Sequence, residues 1–405
     1  TKTGETVFDW SHLLCIKAKS LVCVVNIPGL LIEILPKIDD TTREESRGDM
    51  SNRQSRNNLL FMLSQSGRLP LHERDLASQK LQKLPLLEAL IWVFAQRLLS
   101  ELRRGQQHLY VYREENLNVV RGRILINRQV TQNIGHRHRI FVGYDEFLND
   151  TWLNRILKAA CNTLLSMTRV PATQQHLREG ILELADVEDR IIEARHFGLV
   201  EMNRNSERFR ELLGFCELLF HRAAPSLHAG EASSFSLLFP MEVLFEEFIG
   251  SVLRRYAGRF GFSQSDVHLQ ARSRRRWLLR DEQQSGRFRL KPDVLIDGPA
   301  EQPVLILDTK WKRLLSDDED SKNGVAHSDM YQLYAYSQRY DCANNVLLFP
   351  LIPGATPHTY SLDGDESEKR LIVSFIDLSY DLRREFDRLV EDLRRVIGNP
   401  GASSL

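Results

Sequence analysis

The spacing of hydrophobic and polar residues divides the first part of this chain into stretches of different character. Residues 1 to about 45 hold short runs rich in β-branched residues, such as LVCVVNI, which predict strands with a turn at Pro28-Gly29. From Asp39 to Asn58 the chain is polar and charged, so we expect a loop or an exposed connector. From Leu59 onwards, apolar residues recur at helical spacing, most clearly in KLPLLEALIWVFAQRLLSEL.

The middle of the chain mixes strand and helix patterns. A stretch from His108 to about Phe141 alternates polar and apolar residues, which favours strands. The stretch from Asp145 to Arg169 has the periodicity of a helix, and further helices are expected over residues 174–222. The small, turn-rich segment 223–234 (AAPSLHAGEASS) is the strongest candidate for a domain boundary. After it, the order of helix, strands and helix is typical of an α/β domain.

These patterns predict an α+β multidomain protein. At 405 residues the chain is long enough for several domains, each with its own core. We expect a β-rich segment over residues 1–58 and a mainly helical region with a β insertion over 59–230. An α/β domain with a mixed central sheet is expected over 231–405.

Composition narrows the class of protein further. The content of 42% hydrophobic and 27% charged residues is typical of a globular chain, and no apolar run approaches the ~18 residues of a membrane span. The formal net charge is zero, so nucleic-acid binding would have to rest on local basic patches. The five cysteines are scattered without CxxC spacing, which predicts reduced thiols in a cytoplasmic protein rather than a zinc site or a disulfide framework.

The strongest chemical pattern lies between Lys291 and Trp311, in KPDVLIDGPAEQPVLILDTKW. Asp293 stands at the head of one apolar run, Asp308 and Lys310 stand at the end of the next, and the short segment between the runs, Gly298 to Pro303, has turn composition. The strand period of two places Asp308 and Lys310 on the same face. Two carboxylates could hold Mg²⁺, with the backbone carbonyl of Thr309 as a third ligand, because this ion prefers oxygen ligands and keeps several waters. Lys310 would then orient or deprotonate an attacking water and stabilise charge on a phosphate.

Helices predicted on either side add further polar groups. Upstream, MEVLFEEFIGSVLRRY has an apolar stripe, and Glu242 and Glu246 lie on or beside one edge of it, so either could reach the metal site. Downstream, Gln332 and Tyr336 are one helical turn apart and could contact the substrate or hold the catalytic groups.

A cluster of basic residues precedes the two acidic strands. Such a cluster beside a metal site would neutralise DNA phosphates without reading bases. A second basic group, His136, Arg137, His138 and Arg139, is expected at a hairpin tip, where partner, DNA or solvent contact all remain open. The candidate DNA-binding residues of the first cluster are Arg272, Arg274, Arg275, Arg276, Arg280, Arg287 and Arg289.

The order of these elements resembles the PD-(D/E)XK nuclease superfamily. The resemblance covers residues from about 236 to 350 and includes the literal Pro292-Asp293 and Asp308-Thr309-Lys310. It implies catalytic roles for Asp293, Asp308 and Lys310, with Glu246 as a further metal ligand. The pair Gln332/Tyr336 is similar to the added element of RecB-type members.

Several other segments resemble the McrC family, the nuclease subunit of the McrBC modification-dependent restriction system. They are LLIEILPKI, SRNNLLFML, GRILINRQV, YDEFLNDTWLNRILKAA and DMYQLYAYS, in the order in which that family shows them. The resemblance implies an N-terminal part that docks on a hexameric AAA+ GTPase, McrB, and stimulates its GTP hydrolysis, and a C-terminal part that cuts double-stranded DNA with Mg²⁺, or Mn²⁺ in its place. The partner would recognise methylcytosine and bind GTP, which agrees with the lack of a GxxxxGKS motif here.

Two other functions remain open at this point. The chain could be an adaptor that activates an NTPase without cutting DNA, although the intact set of two aspartates and a lysine argues against that. It could also be a stand-alone repair nuclease of the same superfamily, although the long N-terminal region disfavours it.

Overall fold

A computed structural model describes most of the chain and divides it into two compact units. The first unit comprises residues 1–67, 71–86 and 228–405, and the second comprises 68–70 and 87–227. The described residues are 8–12, 15–18, 21–27, 30–36, 48–67, 69–76, 78, 81, 84–136, 138–221, 235–314, 324–362 and 369–398. The turn expected at Pro28-Gly29 and the boundary segment 223–234 lie outside them.

The first unit contains thirteen strands and five helices among the described residues. Its strands are β1 Phe8–His12, β2 Cys15–Ala18, β3 Leu21–Ile27, β4 Leu30–Ile34, β8 Phe235–Pro240, β9 Val267–Leu269, β10 Arg276–Arg280, β11 Gly286–Leu290, β12 Val294–Asp297, β13 Pro303–Thr309, β14 Asn344–Pro350, β15 His358–Ser361 and β16 Arg370–Ile376, where β1 and β2 form a separate antiparallel pair. Its helices are α1 Gly48–Ser66, α2 Glu73–Leu76, α9 Met241–Arg255, α10 His327–Tyr340 and α11 Phe386–Ile397.

Long-range pairing joins the N-terminal strands to the C-terminal part of the chain. Strand β3 lies between β4 and β8, and its register with β8 runs from Leu21↔Pro240 to Asn26↔Phe235. Helix α1 packs against α9, where the rings of Phe61 and Phe248 meet edge to face at 6.0 Å. Strands β3 and β4 and helix α1 therefore lie in the same compact unit as the described C-terminal strands, and the expected division into three domains stays a prediction.

A six-stranded mixed sheet forms the centre of the first unit, as expected for its C-terminal part. Its order is β15-β16-β14-β13-β12-β9. Strand β13 runs parallel to β14 and antiparallel to β12, so the sheet changes direction at β13. Helix α10 covers one face with Leu333 and Tyr336 in a core that includes Leu295 and Ile306. Helix α9 packs against β9 and β13.

The polar stretch before Leu59 is helical, so the loop expected from Asp39 to Asn58 is wrong from Gly48 onwards. Tertiary hydrogen bonds explain the difference. The Asn58 side chain, 1% exposed, donates to the carbonyls of Leu378 at 3.0 Å and Tyr380 at 2.7 Å, and accepts from the Leu382 amide at 3.1 Å. Partners more than 300 residues away along the chain stabilise a segment that local composition assigned to a loop.

The second unit is mainly helical, with one small sheet among its described residues. Strand β7 is the central strand of an antiparallel sheet of order β5-β7-β6. Among its helices, α5 buries a face that includes Leu153, Ile156 and Leu157. The elements are α3 Leu86–Leu102, β5 Leu109–Leu117, β6 Arg123–Ile124, α4 Ile126–Gln132, β7 Ile140–Leu148, α5 Trp152–Met167, α6 Pro171–Glu183, α7 Ala194–Phe197 and α8 Arg210–His221.

Two boundaries in this unit differ from the sequence prediction. The stretch from His108 to Phe141 includes the short helix α4, which buries none of its residues and is held by local bonds such as Thr131 Oγ1 to the Asn127 carbonyl at 2.8 Å. The helix expected from Asp145 begins at Trp152 instead, because β7 continues to Leu148 and the Thr151 side chain caps the helix by accepting from the Asn154 amide. Among the described helices, none has the length and apolar content to cross a bilayer.

Candidate active site

The antiparallel pairing of β12 and β13 brings the predicted acids together. Val294 pairs with Leu307, so the residue that precedes β12 lies beside the last residues of β13. One carboxylate oxygen of Asp293 accepts two hydrogen bonds of 2.7 Å from Thr309, one from its amide and one from its hydroxyl. Because the N–H and C=O groups of a strand residue point to the same side, the Thr309 carbonyl also faces Asp293.

A continuous line of contacts runs from Asp308 to helix α10. The Lys310 ammonium is 2.5 Å from the Asp308 carboxylate, which is 2% exposed. The same ammonium donates to the side-chain oxygen Oε1 of Gln332 at 3.0 Å, and the side-chain nitrogen Nε2 of Gln332 donates to the Tyr336 hydroxyl at 2.8 Å. The structure therefore brings together Asp293, Asp308, Thr309, Lys310, Gln332 and Tyr336, as the sequence predicted.

Negative charge on either of the two aspartates has a considerable electrostatic cost. Burial raises the pKa of Asp293 well above its usual value, and the charges of Asp308 and Glu246 raise it further, although the bonds from Thr309 oppose this. Burial also raises the pKa of Asp308, which the ammonium of Lys310 only partly offsets. A bound cation would offset the same cost, because it favours the ionised carboxylates.

The lysine and the tyrosine remain protonated at neutral pH. Burial alone would lower the pKa of Lys310, but the charges of Asp308, Asp293 and Asp329 outweigh it and leave the pKa above its usual value. Burial raises the pKa of Tyr336, and the charges of Asp308 and Asp293 add to the shift. In this arrangement Lys310 acts as a positive charge and a hydrogen-bond donor.

The residues present fit a hard divalent cation with few protein ligands. Among the described residues, no group of three or more His, Cys, Asp or Glu side chains is close enough to hold an ion between them. The cluster instead offers the carboxylates of Asp293 and Asp308 and the carbonyl of Thr309. That set matches Mg²⁺, which is commonly held by one or two carboxylates and completes its shell with water and substrate oxygens.

Of the two candidate helix acids, Glu246 is the one beside this site. It shares a cavity with Asp293, and its charge contributes to the raised pKa of both aspartates. Its carboxylate accepts a 2.9 Å hydrogen bond from the Gln270 side chain. Glu242, one turn earlier on α9, is exposed and does not line this cavity.

The candidate DNA-binding arginines differ in their partners. Arg274 is bound to the carboxylates of Asp297 and Glu301, and Arg287 to that of Asp281, so their charges are already offset. The side chain of Arg280 donates to the Gln284 carbonyl. No acidic partner lies within ion-pair distance of the others among the described residues, namely Arg272, Arg275, Arg276 and Arg289. In the second basic group, Arg137 lies outside the described residues, and His136, His138 and Arg139 lie between α4 and β7.

Two residues near the site were missed by sequence reasoning. Asp329, in the first turn of α10, is 6% exposed, pairs with Lys312 at 2.9 Å and acts electrostatically on Asp308 and Lys310. Its position three residues before Gln332, on the same helix face, could have indicated it. Gln270 follows β9, and no local signal in the sequence marks it.

The cost of the Asp293 charge leads to a stability prediction. A carboxyl whose pKa is raised by folding favours the folded state at low pH, and this contribution is lost as the pH rises through the folded-state pKa. Asp293→Asn removes the charge, while its amide oxygen can still accept from Thr309. In EDTA at neutral pH, we expect the variant to be more stable than the wild type by on the order of 1 kcal/mol in denaturant titrations.

Two further results belong to the same experiment. Below about pH 4, where an unperturbed aspartate is already protonated, the advantage of the variant should disappear. Added Mg²⁺ should raise the melting temperature of the wild type but not that of Asp293→Asn. A variant that is less stable than the wild type in EDTA at neutral pH would show that this carboxylate is not an uncompensated charge.

Comparisons with known proteins point to one family. A family model described as "McrBC 5-methylcytosine restriction system component" matches residues 16–350. No curated protein matches the chain. Among solved structures, a chain of the refined half-complex from the tetradecameric assembly of Thermococcus gammatolerans McrB AAA+ hexamers with bound McrC is 22% identical, with a TM-score of 0.57 over 92% of this chain and 83% of its own. A chain of the cryo-EM structure of the Thermococcus gammatolerans McrBC complex is 27% identical over 60% of this chain and 68% of its own, with a TM-score of 0.48.

Proposed function

Because this chain belongs to the family of McrBC 5-methylcytosine restriction system components, we propose that it is the DNA-cutting subunit of such a system. Its reaction would be Mg²⁺-dependent hydrolysis of DNA phosphodiesters, directed to DNA that carries methylcytosine. One observation supports this above all others: the buried Asp308 and the half-buried Lys310 form an ion pair that lies beside Asp293 and is tied to Gln332 and Tyr336. An ordinary structural ion pair would need no second acid of raised pKa next to it.

Each residue has a distinct task in this proposal. Asp293 and Asp308, with the Thr309 carbonyl, hold the cation. When bound, Mg²⁺ supplies a more acidic water and offsets the charge that builds up on the phosphate. Lys310 donates to the attacking water or to a phosphate oxygen, and its raised pKa keeps it charged for that purpose.

Gln332 and Tyr336 position the lysine. The Gln332 carbonyl accepts from the Lys310 ammonium, while its amide donates to the buried Tyr336 hydroxyl, so the amide orientation is fixed from both ends. Fixing the ammonium in place lowers the reorganisation required when the phosphate becomes more negative. Neither residue needs to transfer a proton.

We also propose that the chain acts with a McrB-like AAA+ GTPase hexamer that binds GTP and recognises the modified DNA. The solved assembly with a chain of similar fold contains McrB AAA+ hexamers with bound McrC, and this supports a matching partner here. GTP hydrolysis would take place on the partner and phosphodiester hydrolysis on this chain.

The small sheet of the second unit offers the surface best suited to that partner. Large apolar side chains there lie open to solvent, which is typical of a protein-binding surface. Ile126 and Ile134 are 70% and 76% exposed, and Tyr110 is 73% exposed. Further exposed residues of this sheet and its connections are Tyr112, Val119, Val120, Ile124, Val130 and Phe147.

A single substitution tests this partner surface. Ile134→Asp places a charge on the exposed apolar surface, so the affinity for the GTPase and its stimulated GTP hydrolysis should fall roughly tenfold. Leu182→Asp is the matched control, because Leu182 is 75% exposed on α6, outside the sheet. Steady-state GTP hydrolysis of the partner, titrated with each variant, gives both affinity and stimulation. Equal results for Ile134→Asp and Leu182→Asp would remove this surface from the proposal.

A further inference from the structure

A cavity of about 520 Å³ opens beside Asp293, within the first unit. Helix α9 forms one wall, and β9 with the loop after it forms the other. The acids Glu246, Glu247 and Asp293 lie around part of it, and Arg254 and Arg272 lie around the rest. The volume is in the range of small-ligand sites, which is enough for a phosphate group and its sugar.

Helix α9 presents both an acidic and a basic side chain to this cavity. Glu246, Gly250 and Arg254 are spaced by four residues and therefore share one face. Gly250 allows α9 to lie close to β9, because an added Cβ would come within 2.9 Å of a Leu269 methyl group. Two helical turns separate Arg254 from Glu246, a rise of about 12 Å along the axis. Arg254 is thus placed for a phosphate beyond the one at the metal site.

Gln270 links the acid wall to the second arginine. Its side-chain amide donates to Glu246 at 2.9 Å, and its side-chain oxygen accepts from Arg272 at 3.1 Å. Its backbone amide donates to the carbonyl of Asp293 at 2.8 Å, which fixes the loop to the start of β12. Gln270 and Ala271 both have left-handed backbone angles, with φ of 52° and 42°. Such a conformation is uncommon outside glycine and is often found at functional sites.

The charges of the two arginines are available to a ligand. Among the described residues, neither Arg254 nor Arg272 has a carboxylate within ion-pair distance, whereas Arg274 and Arg287 are paired with acids. Both are exposed on the cavity side, and a guanidinium without an acidic partner is well suited to a phosphate oxygen.

We propose that Arg254 and Arg272 form a phosphate-binding subsite for the DNA strand that is cut, with Gln270 as the residue that positions Arg272 beside Glu246. The subsite takes a backbone phosphate next to the scissile one and reads no bases. This inference rests on the proposed nuclease function, since it assumes that DNA enters the cavity from the side of Asp293.

The test is the salt dependence of DNA binding by the full chain. Anisotropy of a labelled DNA duplex in EDTA, where no metal-dependent cutting occurs, gives the affinity as a function of salt concentration. Each phosphate contact contributes about 0.9 to the slope of log affinity against log salt concentration. We expect Arg254→Gln and Arg272→Gln each to lower that slope, and the double variant Arg254→Gln/Arg272→Gln to lower it by about this amount. Arg254→Lys and Arg272→Lys, which keep the charge, should retain the slope of the wild type.

The position of the contact is tested with a neutral methylphosphonate placed at each backbone phosphate in turn. One position should weaken binding to the wild type but not to Arg254→Gln, which already lacks that contact. Arg384→Gln is the control, because Arg384 is 83% exposed and lies far along the chain from these elements.

Unchanged slopes for both glutamine variants, or equal losses for Arg384→Gln, would overturn the subsite. Failure of the proposed function is seen separately, as a wild-type complex that does not cut DNA in Mg²⁺. Both proposals are supported if the wild-type complex cuts DNA and the glutamine variants lower the slope of log affinity against log salt concentration.

Discussion

Asp308→Asn is expected to abolish DNA cleavage, with a loss of about a thousandfold or more in the single-turnover rate. Asp308 is 2% exposed and offers the cation a charged oxygen that an amide cannot replace. A loss of about 4 kcal/mol in transition-state stabilisation corresponds to that factor. The measurement is the rate of conversion of supercoiled plasmid to nicked and linear forms, with the partner GTPase, GTP and Mg²⁺.

Two controls separate this effect from misfolding. Asp341→Asn removes an aspartate of the same unit whose side chain is 84% exposed and pairs with Lys369, so cleavage should be unchanged. Stimulation of the partner's GTP hydrolysis by Asp308→Asn should equal that of the wild type, because the second unit is untouched. A variant that cuts within tenfold of the wild-type rate would show that Asp308 does not hold the catalytic cation.

Lys310→Met is expected to lower the single-turnover cleavage rate by about a hundred- to a thousandfold, the loss typical of removing one charged donor from a transition state. The substitution keeps the length of the side chain but removes the ammonium that contacts Asp308 and Gln332. The Mg²⁺ concentration for half-maximal rate should change much less than the maximal rate, because Asp293 and Asp308 remain. A full titration with Mg²⁺ at saturating DNA gives both quantities.

The opposite pattern in that titration would assign Lys310 a different role. If Lys310→Met keeps a normal maximal rate but reaches half of it at a much lower Mg²⁺ concentration, the lysine only competes with the cation for Asp308. Lys310→Arg serves as the second variant, because it keeps the charge on a planar group of different reach. We expect it to recover part of the rate and not all of it.

The parts of the site that sequence could predict are those set by local spacing. Asp308 and Lys310 lie on one face because residues alternate along a strand, and Gln332 and Tyr336 lie together because four residues make about one helical turn. The contact between Asp293 and Thr309 required a further assumption, namely that the two apolar runs pair. The turn composition of residues 298–303 supported this, and the register of β12 with β13 confirmed it.

The parts that sequence could not predict depend on distant partners. Asn58 completes a buried hydrogen-bond set with residues near 380, so the helix around it cannot be recognised from its polar composition.

The same limit applies to the arginines. Arg272 and Arg274 are two residues apart in one basic run, yet Asp297 and Glu301 bind the second and leave the first open. Gln270 gains its role from Glu246, on a different helix.

The most direct test of the account is cleavage by the complete complex. The wild-type chain, mixed with the McrB-like GTPase from the same genome, is incubated with GTP, Mg²⁺ and plasmid that does or does not carry methylcytosine. We expect double-strand cleavage of the methylated plasmid, and we expect it to be lost in EDTA and with Asp308→Asn. A complex that hydrolyses GTP at the stimulated rate but never nicks the plasmid in Mg²⁺ or Mn²⁺ would contradict it and identify the chain as a non-cleaving activator.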